Sequence, residues 1–341
     1  MTRWCVIGAA GIADRRTIPG ILSVPENSLV AVADKSPEAA ERVGKKYGVP
    51  YYTDADEMLR DNECDAVYIA TPVFCHKENA ETALKYSRPT LIEKPLARTE
   101  LESRETCRAF MRAKVPLSVG YMMRYHSLHK KARDFVKRGK IGQVTDIRLQ
   151  FSCWYPDIPG AWRQSRELGG GGAIMDLGVH CMDLAEYILD DMIDEIKGFT
   201  ATRTFSYEVE DSAVMIFRTN DGVLGHIDVN FNIPDKASAS KLEIYGTEGY
   251  IICNDTLAQD EVGTMLYLYA PQGDYDAMQE KAMLKPKKFK AKAGNIYAAE
   301  IADFEKKMNK SEPDYLNARR AVHIQDLCDS IYKEKNEDIF E

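Results

Sequence analysis

Residues 3–13 read Arg-Trp-Cys-Val-Ile-Gly-Ala-Ala-Gly-Ile-Ala. An apolar run stops at Gly8, and a helix-forming pattern follows. A continuously apolar run is what a strand buried on both faces requires. Gly8 permits the tight turn, and small residues at Ala10 and Ala13 allow the backbone to come close to a ligand and the helix to pack on the strand. The spacing is Gly-x-Ala-x-x-Ala, a departure from the full glycine fingerprint. Further strands are expected at 29–34, 51–52, 66–70, 90–93 and 117–121, with amphipathic helices between them. This alternation predicts a parallel sheet covered on both faces over the first 121 residues. Ser36-Pro37-Glu38 supplies a helix cap, a proline at the first helical position and an early acid, and Gly48 ends that helix. Thr99 caps a long helix that stops before Pro116.

Beyond residue 121 the pattern changes. A helix is expected at 128–138. Ile147, Leu149, Phe151, Cys153 and Tyr155 then alternate with polar residues, as in a half-exposed strand. Two hairpins are expected, one turning on Asn220-Asp221-Gly222 and one on Gly246-Thr-Glu-Gly249, with a further strand at 265–269. Helices at about 297–308 and 318–333 close the chain. The fold class is therefore α/β. A doubly wound domain at 1–121 is followed by an α+β domain at 122–341 with an open, largely antiparallel sheet. Residues 281–292 are lysine-rich and read as a solvated loop.

With 341 residues and a formal net charge of −8, the chain has the composition of an ordinary soluble protein. The acidic balance argues against nucleic acid as a partner. No apolar run approaches the ~20 residues of a membrane span, and no signal peptide fits before the first strand, so no membrane association and a cytoplasmic location are expected. The eight cysteines form no CxxC pair and read as reduced thiols.

Five features carry the chemistry. Gly8, Ala10, Gly11, Ile12 and Ala13 suit a dinucleotide pyrophosphate, and Asp34, with Lys35 after it, stands where an acid binds the adenosine ribose. Thr71 and Pro72 end a strand on the nicotinamide side of the crevice; His76 is either a cofactor contact or a capping histidine. Glu93 and Lys94, before Pro95, lie at the carboxyl end of another strand, where open α/β sheets bind ligands. Asp176 and His180 follow the run Gly169–Gly172 at helical spacing i, i+4, so an acid can orient an imidazole as a base. The same spacing suits zinc, but no third ligand has a motif around it, and no metal is expected. His126 and His129 read as surface residues.

Together, Glu93-Lys94-Pro95, the run 169–180 and the dinucleotide-type start resemble the Gfo/Idh/MocA oxidoreductase family, the group of glucose–fructose oxidoreductase and inositol dehydrogenase. Gly120-Tyr121 with Arg124, and Tyr245–Gly249, extend the resemblance over nearly the whole chain. It implies Lys94, Asp176 and His180 as the catalytic set, with His180 exchanging the hydroxyl proton. It implies substrate contacts from Lys94, Arg124, Trp162, Arg163, Asp176 and His180. It also implies a nicotinamide cofactor, a sugar, cyclitol or related polyol as substrate, and a homodimer or homotetramer built on the second domain's sheet. Asp34 favours NAD, with NADP possible. The competing class is a non-catalytic NAD(P)-binding regulator on the same fold.

Overall fold

The structure, a computed structural model, describes residues 1–271, 273–275, 277, 284–310 and 313–334. Two compact units divide it. Unit 1 is Met1–Met122, Pro159–Met175 and Asn295–Asp329; unit 2 is Met123–Ile158, Asp176–Gly294 and Ser330–Glu341.

Unit 1 holds a six-stranded parallel sheet of β1 (Arg3–Ile7), β2 (Ser28–Ala33), β3 (Tyr51–Tyr52), β4 (Ala66–Ile69), β5 (Thr90–Glu93) and β6 (Leu117–Gly120). Their order is β3-β2-β1-β4-β5-β6. The chain leaves β1 toward one edge and returns through β4 toward the other, so a crevice opens between the carboxyl ends of β1 and β4. The helices are α1 (Ile18–Ser23), α2 (Pro37–Tyr47), α3 (Ala55–Asp61), α4 (His76–Lys85) and α5 (Glu100–Ala113). The caps read from sequence are formed. The Ser36 hydroxyl accepts from the Ala39 N–H at 3.2 Å, Gly48 ends α2 at φ 69°, and Thr99 accepts from the Glu102 N–H at 3.2 Å. The sheet core of Trp4, Val6, Tyr68 and Leu91 is completed by Ile301 and Phe304. The Trp4 indole donates to Glu305 at 2.9 Å, which anchors the late helix to the first strand.

In unit 2, α6 (Ser127–Lys137) precedes β7 (Val144–Ser152). The short α7 (Arg166–Gly169) belongs to unit 1, and α8 (Val179–Leu189) to unit 2. There follow β8 (Ile193–Ala201), β9 (Ser212–Thr219), β10 (Leu224–Asn230), β11 (Lys241–Gly246), β12 (Gly249–Asn254), β13 (Thr264–Tyr269) and β14 (Lys287–Lys290). The sheet order is β14-β13-β12-β11-β7-β10-β9-β8, antiparallel except between β7 and β10. Leu149, Ile227, Leu242, Cys253 and Met265 stand in register and are buried, so one face carries the core. On the opposite face of β8 and β9, Phe199 is paired with Val214, and both are exposed, as is Ile216. Both expected hairpins are present. The chain ends with α9 (Ile296–Met308) and α10 (Leu316–Glu334).

Two elements differ from expectation. β8 has no clean period of two, because its register shifts between Ile193 and Glu195. Residues 287–290, read as loop, pair with β13 as an edge strand; residues 281–283 lie outside the described residues. Phe289 packs edge-on to Phe135 at 5.9 Å, while the exposed lysines discourage pairing with another chain.

His126 and His129, expected at the surface, are fully buried with ring centroids 4.7 Å apart. Nδ1 of His126 accepts from the Leu128 N–H, so Nε2–H donates to the Val262 carbonyl at 2.9 Å. His129 donates to the Met123 carbonyl and accepts from the Thr256 hydroxyl, both at 2.8 Å. Burial lowers both imidazoles from the ordinary 6.5, and burial with its neighbour takes His129 to about 3. The native state therefore holds both neutral. Their contribution to stability is complete above pH 6.5 and is lost as the pH falls toward 3. Thermal melting of wild type and His129→Gln across pH 7 to 4.5 should show a steeper loss in the wild type. Parallel curves would contradict this role.

Candidate active site

The turn after β1 is held by backbone. The amides of Gly8 and Ala9 donate to the Ala33 carbonyl at 2.8 and 3.1 Å. Gly8 has φ 80°, and a Cβ there would stand 2.6 Å from the Thr71 nitrogen, so only glycine fits between β1 and β4. Gly11 has φ 61° and open space where its Cβ would be. The helix beyond begins as a π turn, Ala13–Thr17. Asp34 receives the Ala10 N–H on one oxygen at 3.1 Å and the Ser36 N–H on the other at 3.0 Å. A carboxylate has about four lone-pair sites, so acceptor capacity remains for ribose hydroxyls. Lys35 beside it is exposed. The open glycine turn, the fixed acid and the switch-point crevice fit a dinucleotide.

His76 does something other than present its ring to a ligand. It is buried, with Nδ1 2.8 Å from the Pro95 carbonyl and Nε2 2.9 Å from the Thr71 carbonyl. Burial lowers its pKa to about 4, and the neutral ring, with a single N–H, donates to only one of these two carbonyls while lying between both. It ties the Thr71-Pro72 loop to the segment after Lys94, whose Lys94–Pro95 peptide is cis. Asn79 adds a bond to the Thr71 hydroxyl at 3.3 Å.

Lys94 is half-buried at the end of β5. Trp162 and Arg163, 68 and 69 residues later, belong to the same unit. The Arg163 guanidinium lies 4.3 Å over the Trp162 ring, and its charge favours ionised Glu93. The structure thus gathers Glu93, Lys94, Trp162 and Arg163 within unit 1.

The glycine run packs on protein rather than on a ligand at its first two positions. Gly169 lies against the backbone of Trp162 and Arg163. A Cβ on Gly170, at φ 79°, would stand 2.6 Å from the Arg98 carbonyl oxygen. Arg98 also donates to the Glu167 carbonyl at 3.0 Å and accepts from Gln325 at 3.3 Å. Sequence reasoning passed over Arg98; its only signal was its place four residues after Lys94.

Asp176 and His180 lie in unit 2, Asp176 being the first residue of that unit after Met175. They do not share one regular α-helix. Residues Ile174–Gly178 form a π turn, and α-helix begins at Val179. Such bulges are frequent at functional sites. Asp176 is the one partly exposed residue between 171 and 180. His180 is 4% exposed, with its ring edge-on to Phe151 at 6.4 Å. Arg124, expected to contact the substrate, forks onto Asp183 in a buried ion pair, Nε to Oδ2 at 2.7 Å, and lies over the Tyr187 ring. Asp183 is three residues beyond His180, so this pair fixes the helix that carries the imidazole. Among the described residues there is no group of three or more His, Cys, Asp or Glu side chains able to hold a metal.

Residues 2–121 match the oxidoreductase family's NAD-binding Rossmann fold, and residues 129–252 match the Gfo/Idh/MocA C-terminal domain. The chain belongs to the Gfo/Idh/MocA oxidoreductase family. It is 30% identical over 267 residues to the 1,5-anhydro-D-fructose reductase of Ensifer adhaerens, covering 78% of this chain and 79% of the relative. It is 27% identical over 238 residues to the inositol 2-dehydrogenase of Rubrobacter xylanophilus, covering 66% and 63%. In structure it resembles the aldose–aldose oxidoreductase of Caulobacter crescentus complexed with glycerol (TM-score 0.85, 20% identity, 97% and 96% covered). It also resembles levoglucosan dehydrogenase complexed with NADH and levoglucosan (TM-score 0.82, 21% identity, 98% of each chain covered). At these identities the structural likeness carries the fold alone. The chain is thus an oxidoreductase with an N-terminal NAD-binding Rossmann domain.

Gly170→Ala should cost about 1–3 kcal/mol, since it forces a Cβ onto the Arg98 carbonyl at a left-handed φ. Urea denaturation measures this; wild-type stability would show that the contact is dispensable.

Proposed function

We propose that this oxidoreductase moves a hydride between nicotinamide and a carbinol or carbonyl carbon of a sugar, cyclitol or related polyol. The observation that carries the reading is Lys94 at the carboxyl end of β5, in one unit with Glu93 and Arg163. The sugar and cyclitol relatives support the substrate class. Residues 1–121 serve the dinucleotide, and residues 122–341 serve substrate and assembly. The turn from Gly8 through Ala10, Gly11 and Ile12 to Ala13 would hold the pyrophosphate of NAD, with Asp34 and Lys35 at the adenosine ribose. Thr71, Pro72, Glu93 and Lys94 would hold the nicotinamide end. Bound there, the nicotinamide supplies the hydride-accepting or hydride-donating carbon.

In this mechanism Lys94 Nζ donates to the substrate oxygen and stabilises the negative charge that develops on it. An imidazole nitrogen of His180 takes the hydroxyl proton in oxidation and returns it in reduction. Asp176 orients that ring. Trp162 and Arg163 offer stacking and hydrogen bonds to further hydroxyls. Arg124 acts through Asp183, by holding α8.

Lys94→Met should abolish turnover while binding of NADH, followed by fluorescence, stays within a few-fold. His180→Ala should lower kcat by ~10²–10⁴-fold. Near-normal turnover in the lysine variant, or a change confined to KM in the histidine variant, would contradict these roles. A panel of polyols and aldoses with each cofactor, read at the reduced-nicotinamide absorbance band, identifies the substrate used.

NAD is the preferred cofactor in this reading, with NADP possible, because a 2′-phosphate would face the Asp34 carboxylate. Asp34→Ser should raise kcat/KM with NADP relative to NAD. A native preference for NADP, or no relative gain in the variant, would show that Asp34 does not set the choice.

The protein is also read as a cytoplasmic homodimer or homotetramer that meets its copies through the open sheet face. Phe199, 88% exposed, with Val214 and Ile216, supports this. No described helix is long and apolar enough to cross a membrane. Sedimentation at micromolar concentration should show an oligomer that Ile216→Glu weakens; a monomeric wild type would contradict it.

A further inference from the structure

Tyr68 is fully buried in β4, whose other residues are Ala66, Val67 and Ile69. Packing alone would be served by phenylalanine. Its hydroxyl instead donates to Glu93 Oε1 at 2.5 Å, a short bond of the charge-assisted kind. Glu93 ends the neighbouring strand β5, and Gly120 ends β6 beyond it. A Cβ at Gly120 would stand 3.6 Å from Glu93 Oε2 and 3.6 Å from Glu300 Oε2 on α9. A phenol and two carboxyl groups therefore meet at the carboxyl ends of β4, β5 and β6, all within unit 1.

The charges facing this group come from each side. On the strand end, Lys94 offers both its charge and its backbone N–H to the Glu93 carboxylate. From the segment before α7, Arg163 adds a second positive charge. From α9, Glu300 adds a negative one that is felt at Tyr68. Burial pushes the Glu93 carboxyl up; the Tyr68 hydroxyl, then Lys94 and Arg163, act against it. Burial and the two carboxylates push Tyr68 well above its ordinary value, so it keeps its proton and stays a donor.

We propose that Tyr68 and Glu93 are a positioning pair for the active site. The Tyr68 hydroxyl fixes one carboxylate oxygen, and the Glu93 carboxylate holds Lys94 and Arg163 at the crevice, a role that rests on the hydride-transfer function proposed above. One fixed anion at the strand end attracts both cations and so favours their staying at the crevice.

The test uses the full chain, with Tyr68→Phe and Glu93→Gln, read by melting temperature, NADH affinity, and the pH profile of kcat/KM. Tyr68→Phe should fold and bind NADH nearly as the wild type does. Its kcat/KM should fall by about 10–100-fold, the loss of one hydrogen bond to a charged group. Its acid limb should move to higher pH, because a group that favours the carboxylate has been removed. Glu93→Gln keeps a partner for the phenol but removes the charge, and should lower kcat/KM at least as far as Tyr68→Phe does. A folded Tyr68→Phe with a wild-type profile overturns the proposal. If Tyr68→Phe does not fold, a wild-type kcat/KM in Glu93→Gln overturns it alone. Absence of any nicotinamide-dependent turnover by the wild type would look different, and would overturn both the function and this role.

Discussion

The crevice of unit 1 depends on one close approach of backbone to backbone. Gly8 sits so near Ala70 and Thr71 that no side chain can intervene. This brings the phosphate-type turn after β1 against the loop after β4. From there the constraint passes on through named atoms. The buried His76 ring lies between the Thr71 carbonyl and the Pro95 carbonyl, one residue beyond Lys94, and donates to one of them. Three residues later, Arg98 presents its carbonyl to Gly170 and Gln325. The glycines and the buried imidazole thus place the ends of β1, β4 and β5 relative to one another, and with them the run that leads into residue 175. Asp34, held by two amides, adds the fixed acid at the other end of the same crevice.

Unit 2 solves a different problem. An open sheet with one buried face needs helices on that face, and α8 supplies one that is buried almost throughout. Burying Arg124 and Asp183 costs desolvation, which their mutual attraction offsets only when the geometry is good. Their fork meets that condition, and breaking it would leave a lone charge in the interior. The pair helps to fix how α8, which carries His180, lies within unit 2.

Much of this was legible in the sequence because it rests on local rules. The Ser36 and Thr99 caps, the Asn220-Asp221-Gly222 hairpin and the buried parallel strands follow from spacing and side-chain chemistry, as does the placement of Lys94 at a strand end. What escaped is set by contacts distant in sequence. Tyr68 reads as one more apolar strand residue, and only the fold brings Glu93 to its hydroxyl. His126 and His129 look polar and exposed, yet each finds carbonyl or hydroxyl partners that permit burial. Arg124 meets Asp183, 59 residues away, only in the fold. β8 hides behind a register shift, and β14 behind the lysines that guard its edge. At Gly169 and Gly170 what approaches closely is the protein's own backbone, which only the fold brings there. The π turn at Asp176 has no signature in residue spacing, because it differs from α-helix by a single inserted position.

A crystal structure of the protein with NADH would examine the crevice as a cofactor site. The pyrophosphate should lie over residues 8–13, the adenosine ribose hydroxyls on the free acceptor sites of Asp34, and the nicotinamide beside Thr71 and Lys94. A nicotinamide ring remote from Lys94, or an adenosine ribose that leaves Asp34 untouched, would contradict the assignment of this crevice to hydride transfer.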